Sequence, residues 1–81
     1  MDRAALLEET IERLALEEAD LTTILGQAVA LAGSDRGAVG GALQLARQAA
    51  AAHPADPVLE RTVHILDLTL GLVTMRGATR E

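Results

Sequence analysis

The 81-residue chain has no cysteine, lysine, asparagine, phenylalanine, tryptophan or tyrosine, and Ser34 is its one serine. Without cysteine there is no disulfide, thiolate zinc site, iron–sulfur ligation or thiol nucleophile. The lack of lysine removes Schiff-base chemistry and a phosphate-cradling P-loop, and the lack of tyrosine removes phenolic acids and bases. No aromatic ring can stack on a base and the formal net charge is −5, so no nucleic-acid partner is expected. No uncharged apolar run approaches the roughly 20 residues of a membrane span, and none is expected. Ala4 to Leu7, the short apolar stretch between Arg3 and Glu8, falls far short of a signal-peptide core, which points to the cytoplasm. Cations written only as arginine, with lysine, asparagine, phenylalanine and tyrosine avoided, match the codon usage of a GC-rich genome and point to a bacterial source.

Alanine (16) and leucine (14) fill the space these absences leave, and 81 residues make one domain at most. Two interruptions divide the chain, Gly33-Ser34-Asp35-Arg36-Gly37 and His53-Pro54-Ala55-Asp56-Pro57. The first helical segment, about 2–32, carries Leu7, Ile11, Leu14, Leu21, Leu25, Ala28 and Ala32 at helical spacing and reads as one continuous helix. Asp20 is the residue fit to start a second helix should it break. The second segment, about 38–53, is rich in alanine, with Ser34 as its candidate N-cap and with Gly40 and Gly41 weakening its first turn. Gly37 and Gly41, four residues apart, suit a close crossing of two helices. His53 is placed to cap its end.

The third segment, about 57–76, starts with Asp56 as N-cap and Pro57 at the first helical position, with Glu60 in the first turn. Arg76 and Gly77 mark its expected end, and residues 77–81 read as a loose tail. Apolar residues from Val58 to Met75 surround most of this segment, leaving a narrow polar stripe of Glu60, His64, Asp67 and Thr74. A helix apolar nearly all round must be buried nearly all round. The expected fold is all-α, a single domain over 1–81 with three principal helices, the last two an antiparallel hairpin. Oligomerisation is expected to complete it into a larger helical bundle.

The expected function is non-catalytic: a protein–protein interaction module such as a small assembly subunit, adaptor or chaperone, not an enzyme. Its partner would be itself, as a homodimer or higher oligomer, or another protein. The interface candidates are Leu14, Leu21 and Leu25 on the first segment and Leu59, Leu66, Leu70 and Val73 on the third. No catalytic residue, metal ligand or cofactor is expected. Glu60, His64 and Asp67 share a helix face but read as a solvated polar stripe, and Ser34 has no oriented histidine to activate it. Residues 1–20 hold seven acids and two arginines, whereas residues 21–81 balance five against five, so the whole net charge lies at the start. That asymmetry raises an alternative: an acidic regulatory inhibitor or antitoxin-like protein occupying a basic site on a target.

Two local resemblances point the same way. Across 20–53, Val29-Ala30, Ala42, Ala49 and Pro54 resemble part of a tetratricopeptide repeat, without the aromatics of that motif and with Gly33 where a large ring is usual. Pro54-Ala55-Asp56-Pro57-Val58-Leu59 is similar to the turn of type III secretion needle subunits, which are helical hairpins of comparable length. Either resemblance implies a self-assembling or partner-binding helical protein.

Overall fold

The computed structural model describes residues 2–33 and 35–79, with side chains as far as Met75. It contains α1 (Arg3–Leu16), α2 (Leu21–Ala32), α3 (Arg36–Ala52) and α4 (Pro57–Thr79), and no strand among the described residues. The single helix expected over 2–32 is therefore two, and the count of helices is four rather than three.

The break follows from where the apolar residues point. Ala4, Leu7, Ile11 and Ala15 are the buried stripe of α1, while Ile24, Ala28 and Ala32 are that of α2. On one uninterrupted helix of 3.6 residues per turn these stripes would lie roughly 100° apart, so a straight rod could not press both into one core. The chain turns between them instead. α1 ends with Glu18 N–H on the Ala15 carbonyl (3.1 Å) and Ala19 N–H on the Leu14 carbonyl (3.0 Å), the paired bonds of a Schellman motif. Glycine usually takes the left-handed position of that motif, but here Glu18 does, at φ 59. A non-glycine residue held there costs about 1–3 kcal/mol. Asp20 then caps α2, its Oδ1 accepting from Thr23 N–H at 2.7 Å. Arg61 of α4 reaches the corner and donates from Nη2 to the Ala19 carbonyl at 2.9 Å.

α2 stops at Gly33, whose φ of 61 requires glycine and whose N–H meets the Val29 carbonyl at 2.9 Å. The cap of α3 is Asp35, which accepts from Ala38 N–H at 3.0 Å. Ser34, the residue expected there, lies outside the described residues. α3 buries Ala38, Val39, Ala42, Leu43 and Ala46. Its small side chains admit α1 closely: a Cβ added to Gly41 would come within 3.0 Å of the Ala4 Cβ. Gly41 is thus a point of close approach between α1 and α3, and an exposed ion pair, Arg3 to Asp35 at 3.9 Å, joins α1 to the cap of α3.

His53 ends α3 through its backbone, N–H to the Ala49 carbonyl at 3.0 Å, and its ring is exposed. Asp56 Oδ1 accepts from Val58 N–H at 2.9 Å and starts α4 with Pro57 at its first position, as the sequence indicates. α4 does not stop at Arg76; it continues through Gly77 to Thr79, and the rest of the expected tail lies outside the described residues.

α4 packs against all three other helices, most extensively against α3. Its buried face is Leu59, Thr62, Ile65, Leu66, Thr69 and Val73. The two threonines hide their methyl groups and satisfy their hydroxyls within the helix, Thr62 Oγ1 to the Val58 carbonyl and Thr69 Oγ1 to the Ile65 carbonyl, both 2.8 Å. The Cα radius of gyration is 11.9 Å, close to the about 11.7 Å expected for this length. The accessible surface, 4965 Å², compares with about 4,700 Å² for a self-contained chain of this mass. The two values are close, as for a chain that folds on its own core, and large apolar side chains remain exposed on each helix.

Candidate protein-docking site

Large apolar side chains stay exposed at several places, Leu6 and Leu16 on α1, Leu21 on α2, Leu45 on α3 and Leu68, Leu72 and Met75 on α4, and the α4 set lines a groove beside α2. Leu68, Leu72 and Met75 follow one another at i, i+4 and i+7 on α4 and are 40%, 42% and 65% exposed. With Leu25 of α2, Asp67 and Gly71 they line an open groove of about 390 Å³ whose walls are almost wholly apolar. Leu21, one turn before Leu25, is also exposed, at 43%. Gly71 lies at the centre of the α4 side, with nothing within 4 Å of an added Cβ. A glycine inside a long helix costs about 1 kcal/mol relative to alanine, and among the described residues no close contact requires it there.

The residues expected at an interface divide. Leu59, Leu66 and Val73 are 4%, 0% and 0% exposed and belong to the chain's own core. Leu14 and Leu70 are half-buried against that core. Leu25, half-buried, lines the groove, and Leu21 is exposed one turn before it on α2. Leu68, Leu72 and Met75 are the groove residues that sequence reasoning missed. Their signal was present in the apolar circumference of α4, but they border the polar stripe of Glu60, His64 and Asp67, and spacing alone did not single them out from the other apolar residues.

Comparison with family models, with curated proteins and with solved structures returns no match. The groove's chemistry is then the guide to function, together with what the rest of the surface holds. Glu60, His64 and Asp67 are exposed on α4, and among the described residues no three of His, Cys, Asp and Glu stand close enough together to hold a metal ion. A second concavity, about 370 Å³, lies at the α3–α4 turn and is rimmed by Arg47, His53, Asp56 and Glu60 over an alanine floor. The formal charges on that rim are mixed and its polar side chains are exposed, so it presents no oriented set. No described helix is long and apolar enough to cross a membrane.

The acidic face of α1 is not uniformly charged. Partial burial, a hydrogen bond with the neighbouring Glu12 carboxyl and repulsion from Glu12 and Glu9 push the Glu8 carboxyl up to about 7. Near neutral pH that carboxyl is therefore partly protonated. Asp20 moves the other way, its carboxyl held below the usual range by hydrogen bonds from the Thr23 side chain and amide and by the nearby Arg61 guanidinium.

Proposed function

We propose that this chain is a non-catalytic protein–protein interaction module, a small assembly subunit, adaptor or chaperone, acting through the α2–α4 groove. The observation that supports the reading is the run of Leu68, Leu72 and Met75 left exposed beside Leu25 along one apolar groove, whereas Leu6, Leu16 and Leu45 are exposed outside it. In this reading α3 and α4 are an antiparallel hairpin, and a second copy seated on the groove completes a larger bundle. A twofold arrangement lets each groove cover the other, so each exposed leucine is used twice. Full burial of a leucine stabilises by about 1.5–3 kcal/mol, and these side chains are already more than half hidden, so each gains roughly 1 kcal/mol on docking. The patch is small beside the roughly 20–30 residues a side of a standard interface, which makes the association reversible and concentration-dependent.

Light scattering on the full chain from micromolar to millimolar concentration tests this. The expected mass rises above 8.5 kDa with concentration. The variant Leu68→Glu with Leu72→Glu, altered at exposed positions, keeps its helical signal and remains at the monomer mass. A wild-type chain that stays at 8.5 kDa throughout, or a variant that associates equally well, overturns the reading. Salt separates it from the acidic-inhibitor alternative, since leucine-driven association is insensitive to ionic strength whereas charge-driven binding weakens steeply.

A further inference from the structure

Residues 17–20 contain neither glycine nor proline, yet α1 stops there with Glu18 in the left-handed region. Two side chains keep the corner bent. Asp20 Oδ1 takes the Thr23 N–H at 2.7 Å, and Arg61, 42 positions beyond Ala19, takes the Ala19 carbonyl at 2.9 Å. Those two backbone groups are the i, i+4 pair that would bond to each other in an uninterrupted helix. Two side chains thus stand in for one helical hydrogen bond, and one of the two latches comes from α4, far along the chain.

Straightened, residues 3–32 would form one helix roughly 45 Å long. Its α1 and α2 stripes would then diverge, so α1 could not stay on its own α3 and α4 while α2 remained docked. A second copy in the same state offers the vacated seat. We propose that the α1–α2 corner is a releasable joint through which two copies of this chain exchange α1, each α1 packing on the α3 and α4 of the other. All contacts of α1 with α3 and α4, including Ala4 against Gly41, are remade across the pair, so the corner decides the balance between the closed monomer and the exchanged dimer. The inference stands on the corner residues and does not require the groove.

The chain has no cysteine, so one introduced pair reports the exchange without background. Ala4→Cys with Gly41→Cys joins α1 to α3 at positions whose Cβ atoms would lie 3.0 Å apart, within a small helix shift of the roughly 3.5–4.5 Å of a disulfide. In this background the oxidised chain should run mainly as an 8.5 kDa species on a non-reducing gel. Adding Asp20→Ala and Arg61→Gln should raise the dimer association constant at least about tenfold, or 1.4 kcal/mol, and give a crosslinked species of twice that mass. Adding Glu18→Gly, which accepts the left-handed corner without strain, should return the crosslink to the single chain. Should the double release variant lose its helical signal, Asp20→Ala alone, changed at an exposed position, is read in its place. Single-chain crosslinks in every variant overturn the proposal. So does a dimer by mass whose crosslinks remain within each chain, which would assign the association to the groove instead.

Discussion

Two connections of four residues, 17–20 between α1 and α2 and 53–56 between α3 and α4, turn the chain by opposite means. The second is written locally: Pro54 and Pro57 forbid a continuous helix, and Asp56 caps α4 through Val58 N–H. The first has only good helix formers and a cap, and it depends on Arg61 for its outer carbonyl. The α3–α4 turn should therefore form in a short peptide, whereas the α1–α2 corner requires the rest of the fold. One boundary is a property of its own residues, the other of the core they must fill.

The largest expected effect comes from removing what imposes the corner, the core beneath it. Leu66→Ala, at a fully buried position, should cost about 2–5 kcal/mol in denaturant unfolding, and Leu68→Ala, two residues on, less than about 1 kcal/mol. Equal losses would mean that α4 is oriented differently. Arg61→Gln comes next, with a loss of about 1–2 kcal/mol and amide exchange rising at residues 17–23 but not at 53–58. Glu18→Gly should stabilise by about 1 kcal/mol by relieving the left-handed position, whereas Gly33→Ala should destabilise by a similar amount.

The smallest effects are in pH dependence. The folded Glu8 carboxyl titrates near 7, above its ordinary 4.5, so its contribution to stability is complete below about 4.5 and is lost as pH rises through about 7. Glu8→Gln should flatten that decline in unfolding measured at pH 5 and pH 8. Asp20 has the opposite sign: its depressed carboxyl stabilises above the ordinary 3.8, and the advantage over Asp20→Ala should shrink as the solution is acidified below that value.

Much of the architecture was legible because its signals are local. The all-helical class, the Asp56-Pro57 start of α4, the extent of α3 and the candidate cap at Asp20 follow from residue type and spacing. The break at 17–20 was not legible as a break, since Leu7, Ile11, Leu14, Leu21, Leu25, Ala28 and Ala32 form a plausible single stripe; the chain buries Leu7, Ile11, Ala28 and Ala32 of these, adds Ala15 and Ile24, and leaves Leu21 exposed. The α4 stop failed for a related reason: Gly77 permits a left-handed end but does not force one. At the groove, Leu25 was found by spacing. Leu68, Leu72 and Met75 were passed over because hydrophobicity alone cannot say which side of an apolar helix its neighbours take.

The most direct measurement is a concentration series of amide spectra on the isotopically labelled full chain. Docking of a second copy on the α2–α4 groove should shift the amides of Leu25, Leu68, Gly71, Leu72 and Met75 together along one binding curve, leaving those around Ala46 and Leu43 in place. Spectra unchanged up to millimolar concentration, or shifts gathered on another face of the molecule, would contradict it.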